Sequence, residues 1–378
     1  MKYMGSKRYM LENGLGELIC EQARDAHRIV DLFCGAGAVS WFAGENTARK
    51  VIAVDLQNYA VTLAGAVIER NVSLDYDQLI IKWLSDFERA RARSDLWSAG
   101  VSVEKNAKET RELVKKARIL CEERLAVGPV WNAYGGHYFS PTQALTFDCM
   151  LKCLPHEEPE RTVCLAATLI SASKCAASPG HTAQPFQPTE TAAQFLREAW
   201  KRDPLLLCKK ALWEICPRHA KIAGEALVSD AIEFAKNLHS DDLVIVDPPY
   251  SGVQYSRFYH VLETIALGYC NSVEGVGRYP PIEERPQSAF SNKSQSKSVL
   301  RELLSSLARV GATVIFTFPA GECTNGLSGN IVTETACVWY DVEKKLVNGR
   351  FSTLGGNNTY RASRNSSSEL LLLMRPKK

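Results

Sequence analysis

One octapeptide, Leu243-Val244-Ile245-Val246-Asp247-Pro248-Pro249-Tyr250, constrains this chain more than any other stretch. Four apolar, mostly β-branched residues predict a buried strand, and two prolines forbid its continuation. The strand's carboxyl end therefore presents a carboxylate, a stiff turn with a free backbone carbonyl, and an aromatic ring. A primary aromatic amine is a poor nucleophile because its lone pair is delocalised into its ring. Asp247 and the Pro248 carbonyl can accept its two N–H bonds and draw the lone pair outward, while Tyr250 can stack on the ring. Taken alone, the motif also describes a strand ending beside a surface tyrosine.

A second motif lies upstream, in Arg28-Ile29-Val30-Asp31-Leu32-Phe33-Cys34-Gly35-Ala36-Gly37-Ala38. An apolar strand runs into a Gly-x-Gly turn and then a helix beginning near Val39, the opening of a nucleotide-binding α/β unit. The glycines admit close backbone approach. The third glycine of a dinucleotide fingerprint is missing, since Val39 and Ser40 follow. Asp31 at the strand end repels a phosphate but can hold an ammonium group. The next strand, Val51–Asp55, ends in a second carboxylate, placed to bind a ribose diol or to cap the following helix. An ammonium for Asp31 and a ribose for Asp55 describe S-adenosylmethionine better than a nicotinamide dinucleotide, which disfavours an oxidoreductase.

At 378 residues with a net charge of +3, the chain is long enough for two folding units, and a nucleic-acid partner requires a local basic face. No stretch is apolar enough to span a membrane, and no signal-peptide core follows Met1, so a cytoplasmic protein is expected. Twelve cysteines without a Cys-x-x-Cys fit reduced thiols. Cys149, Cys153, His156 and Cys164 read better as core and loop residues than as a zinc site, and no metal is expected. Lys7 sits in a basic amino-terminal segment that either frays or reaches a ligand carboxylate.

From Asn71 to Ala226 the α/β rhythm is lost and helices are expected. Trp131–Phe139 holds four aromatics and two glycines, a loop that either stacks on bases or is pinned to the core. The polar loop Ser178–Pro188 carries Gln184 and Gln187, of a type that reads base edges, or else it is a connector. The rhythm returns at Ala226–Asp230. Residues 344–378 hold eight Lys or Arg and one Glu. Within them, the segment around Arg361 and Arg364 reads as a phosphate-contacting loop or as a basic tail.

With these motifs in place, the chain resembles the adenine-specific DNA methylases, class I S-adenosylmethionine-dependent enzymes that methylate adenine N6. The order is a lysine-containing amino terminus, Phe33-Cys34-Gly35-Ala36-Gly37, an insert, then Asp247-Pro248-Pro249-Tyr250. The insert is also similar to a subgroup through Tyr138-Phe139-Ser140 and Ser173-Lys174-Cys175. The resemblance implies an α/β, Rossmann-like doubly wound mixed seven-stranded sheet, in which the strands ending at Asp31 and Asp247 are neighbours. It implies a methyltransferase domain of residues 1–70 and 227–378, with a mostly helical target-recognition insert over 71–226. It also implies that Lys7 holds the donor's carboxylate, Asp31 its amino group, Asp55 its ribose and Asp230 its adenine amino group, with Phe33, Gly35 and Gly37 lining the donor site. Asp247, Pro248, Pro249 and Tyr250 then serve an adenine flipped out of double-stranded DNA. Asp rather than Asn at 247 points away from the protein-glutamine methylases. An RNA adenine methylase and a catalytically silent DNA-binding subunit of a defence complex are the rival readings. A restriction or defence partner is left open.

Overall fold

The computed structural model describes residues 7–92, 94–124, 127–350 and 366–377. They form two compact units, one within residues 4–72, 218–256 and 286–378, the other within 73–217 and 257–285. Among the described residues, no helix is long and apolar enough to cross a membrane.

The first unit is built on seven strands: β1 Arg28–Asp31, β2 Lys50–Asp55, β3 Glu225–Val228, β4 Asp242–Val246, β5 Thr313–Pro319, β6 Tyr340–Arg350 and β7 Ser366–Pro376. Their order is β3-β2-β1-β4-β5-β7-β6. The first five run parallel, and β7 inserts antiparallel between β5 and β6. Parallel strands covered on both faces need apolar residues at successive positions, which is why β1, β2, β4 and β5 read as continuous hydrophobic runs. Val30, Val54, Val244, Val246, Val314 and Phe316 pack on one face with Leu300, Leu303, Leu304 and Leu307 of helix Ser296–Val310. The strands ending at Asp31 and Asp247 are neighbours, as the mixed seven-stranded reading expected, with Asp31 paired to Ile245.

β6 and β7 are long strands of 11 residues each. Their pairing continues past the last β5 partner, Pro319↔Glu369, through Asn348↔Ser368 to Arg350↔Ser366. Because β7 is antiparallel to β5, this extension leaves the sheet at the carboxyl edge of the parallel strands. Arg361 and Arg364 lie outside the described residues.

The second unit is helical from Tyr76 to Ile215, with no strand among its described residues. Its boundaries differ from those expected. Residues 218–226 belong to the sheet unit, because Ala220 and Gly224 donate to carbonyls at Val67 and Ile68 at the end of helix Asn58–Ile68. Residues 257–285 belong to the helical unit, drawn there by a buried polar network. The Tyr134 hydroxyl meets Thr264 Oγ1 at 2.8 Å, the Tyr138 hydroxyl donates to the Gly277 carbonyl at 2.9 Å, and His260 Nε2 lies 2.8 Å from the Thr182 carbonyl. Burial pushes His260 down to about 3, so the ring is neutral and Nε2–H donates. The aromatics of 131–139 are thus pinned to the core: Trp131, Tyr134, Tyr138 and Phe139 are all fully buried.

At the amino edge of the sheet, Arg28 clamps β1 to β4 through two bonds to Asp242, Nε to Oδ1 at 2.7 Å and Nη2 to Oδ2 at 2.9 Å. Asp242 also accepts from the His239 amide. Its carboxylate is fully buried, and removing one partner of such a pair leaves an uncompensated charge. Asp242→Ala should cost about 3 kcal/mol of stability in urea unfolding. A loss under about 1 kcal/mol would show that the clamp is not structural.

Candidate active site

Three carboxylates converge on the carboxyl edge of the parallel strands because each ends an apolar run: Asp31 on β1, Asp55 on β2 and Asp247 just beyond β4. Asp31 is buried, accepts from Ser40 Oγ at 2.6 Å and lies 3.4 Å from the Phe33 amide. Burial, reinforced by the charges of Asp247 and Asp55 and opposed by these two bonds, pushes its carboxyl up to about 7.

The chain leaves β1 through a glycine turn. Gly35 and Gly37 both have φ in the left-handed region, at 49° and 76°. A side chain on Gly37 would also meet the Ala64 backbone and the Trp41 ring at 3.1 Å. The turn is tied to β2, since the Cys34 amide donates to the Val54 carbonyl and the Gly35 amide to Asp55 Oδ2 at 3.0 Å. Asp55 Oδ1 accepts from the Gln57 amide, so Asp55 braces the turn itself. Phe33 follows Asp31 and meets Phe290 edge-on at 5.4 Å. Asp230, two residues past β3, caps helix Ala231–Ala235 through its Oδ1. Among the described residues, this set of carboxylates and glycines suits a ligand bearing a cation and hydroxyls, and would repel a phosphate at the turn.

At the end of β4, one oxygen of Asp247 is engaged by a hydroxyl and an ammonium. Thr317 Oγ1, on the neighbouring β5, donates to Oδ1 at 2.8 Å, and Lys7 Nζ lies 3.0 Å from the same atom. Among the described residues, no donor reaches Oδ2 or the Pro248 carbonyl. The Pro249 carbonyl is held instead by Nδ2 of the buried Asn325, which also bonds the Phe290 carbonyl and fixes the turn. Tyr250 is half-buried against the core and edge-on to Tyr255, with ring centroids 6.4 Å apart. Burial pushes its hydroxyl up to about 12.

Lys7, expected on a donor carboxylate, is buried between Asp247 and Glu369, 3.0 Å from each. Burial disfavours its charge, but the two carboxylates outweigh that and hold it above its ordinary value. Glu369 and Thr317 escaped the sequence reading. Glu369 does stand out as the lone acid before an apolar run, but its position beside Lys7 is set by the pairing of β7 with β5. Of the two glutamines on the polar loop, Gln184 is exposed, whereas Gln187 accepts from Arg118 and donates to its own loop at Pro185. Among the described residues, no three His, Cys, Asp or Glu side chains are grouped to hold a metal ion.

A sheet of this order, with carboxylates lining its switch point, defines the class I methyltransferase α/β fold. The model of the D12 class N6 adenine-specific DNA methyltransferases matches residues 3–124 and 208–314, and the chain belongs to that family. It is also 25% identical over 319 residues to the Type II methyltransferase M.FokI of Planomicrobium okeanokoites, across 80% of this chain and 42% of the relative. It therefore spans less than half the length of that curated protein.

The folded protein binds a proton at Asp31 more tightly than the unfolded chain, whose value is near 3.8. The stability this contributes is fully present below about pH 4 and is lost as pH rises through about 7. Asp31→Asn should therefore raise the Tm of the ligand-free protein at about pH 8. Ser40→Ala should move the Asp31 midpoint upward in carboxyl-carbon NMR. An unchanged or lower Tm, with an unmoved midpoint, would contradict this electrostatic account.

Proposed function

We propose that the protein transfers a methyl group from S-adenosylmethionine directly to N6 of an adenine flipped out of double-stranded DNA. The observation that carries this reading is the asymmetry of Asp247. Its Oδ1 accepts from the Thr317 hydroxyl and faces the Lys7 ammonium, while among the described residues Oδ2 and the Pro248 carbonyl remain as a pair of acceptors. Those two acceptors match the two N–H bonds of a primary amine. Accepting both localises the lone pair on nitrogen, and Tyr250 stacks on the base.

For the donor, Asp31 holds the ammonium, Asp55 the ribose and Asp230 the adenine amino group. Phe33, Gly35 and Gly37 form the wall. When bound, S-adenosylmethionine supplies an electrophilic methyl on a sulfonium and leaves as a neutral thioether. Target choice falls to the helical unit, with Gln184 on its polar loop; Gln187 supports that loop. The segment carrying Arg361 and Arg364 grips phosphates, a role supported by its cations and its Asn, Ser and Tyr residues. The name of the M.FokI relative supports a restriction–modification setting.

Asp247→Ala should abolish methyl transfer to DNA while leaving donor affinity within about twofold, read by tritiated-donor assay and calorimetry. Turnover near the wild-type rate would sink the mechanism. Tyr250→Phe should be tolerated, whereas Tyr250→Ala should lose roughly tenfold to a hundredfold, in line with about 1–3 kcal/mol of stacking. Equal damage from both would assign the role to the hydroxyl. Neutralising Arg361 and Arg364 together should weaken binding to all duplexes alike and reduce the salt slope by about 0.9 per arginine. Gln184→Ala should shift the preferred site instead. An unchanged salt slope, or an unaltered methylation site, would move the respective role elsewhere.

A further inference from the structure

The Asp247 cluster contains a third charge that the proposed chemistry does not use. Glu369 sits on β7, beside the end of β5, with its side chain 9% exposed and its Oε2 3.0 Å from Lys7 Nζ. Burying a second carboxylate beside Asp247 is unfavourable, and burial followed by the charge of Asp247 does raise the Glu369 carboxyl, against the pull of Lys7. A lysine serving only to neutralise Asp247 needs no such neighbour. Three elements meet here: Lys7 comes from the amino-terminal segment, Thr317 from β5 and Glu369 from β7.

We propose that Glu369 and Thr317 are positioning residues that hold Asp247 with Oδ1 inward and Oδ2 free for the target amine. Glu369 acts through Lys7. With the ammonium shared equally between two carboxylates, its charge is drawn away from Asp247, which stays a strong acceptor, and it is kept on the Oδ1 side. Thr317 fixes the same oxygen from β5. Neither residue touches the amine or the donor. Without Glu369, Lys7 would pair with Asp247 alone and compete with the amine for its lone pairs. Without the Thr317 hydroxyl, the carboxylate would be free to rotate.

This inference rests on the methyltransferase reading, and the experiment separates the two. Transfer of tritiated methyl to adenine would be measured on DNA from a methylation-free host, together with S-adenosylmethionine affinity and Tm. The wild type, Glu369→Gln, Thr317→Val and Thr317→Ser would be compared. The expected result is a fall in kcat of about tenfold or more for Glu369→Gln and Thr317→Val. Donor affinity should stay within about twofold, and Thr317→Ser should recover most of the rate. Wild-type kcat in both disabled variants overturns the assignment. So does a change in donor affinity larger than the change in kcat, which would place Glu369 in the donor site through Lys7. If Glu369→Gln lowers Tm enough to unfold the protein, the Thr317→Val and Thr317→Ser pair decides the matter: equal rates contradict the proposal and a Ser-specific recovery supports it. A wild type without adenine methylation overturns the functional reading, and this inference with it.

Discussion

The ammonium of Lys7, buried between Asp247 and Glu369, is the interaction on which the rest of the site depends. The parallel sheet brings several carboxylates to one edge, and like charges gathered in a poorly solvated place repel one another. Asp247 and Glu369 can share that place only with a buried cation between them. Lys7 supplies that cation. Its charge is bound to the fold by distance and burial, since neither contact of Lys7 Nζ is a well-aligned hydrogen bond. Such an arrangement keeps the positive charge on the Oδ1 side of Asp247, and the Thr317 hydroxyl fixes the same oxygen by a hydrogen bond.

Asp31 shows the opposite solution a few ångströms along the same sheet edge. It has Ser40 and a backbone amide but no cation among the described residues, and burial lifts it to about 7. An ionised Asp31 is stabilised only when a positive group arrives, so the site is poised for a cationic ligand at the cost of some stability in its absence. Asp55 is different again, its oxygens engaged by the backbone of the glycine turn it braces. Three aspartates at equivalent strand ends thus meet three different surroundings. The proposed division of labour between them rests on that difference.

Much of this was legible in the sequence for a simple reason. Asp31, Asp55 and Asp247 each close an apolar run, and in a parallel sheet the end of such a run is the edge where ligands bind. The glycine turn and the paired prolines are equally local, because backbone restriction is written in the residue itself. Glu369 and Thr317 were not legible, since β7 must enter beside β5 to bring Glu369 to Lys7, and β5 must pair with β4 to set Thr317 beside Asp247. Ser40 was hidden because a serine in a helix says nothing of the strand behind it. The transfer of 257–285 to the helical unit was also invisible. It rests on His260, Thr264, Arg278 and Tyr279 finding partners more than seventy positions earlier in the chain. The aromatics of 131–139 carried no sign of whether they faced solvent or core until their burial was seen.

The central claim is that the acceptor pair at Asp247 and Pro248 serves the N6 amine of adenine in DNA. The most direct test is to express the protein in a methylation-free host and read modified bases genome-wide by single-molecule sequencing. The account predicts N6-methyladenine at one recurrent sequence. Unmodified adenines throughout, or a mark on cytosine or confined to RNA, would contradict it.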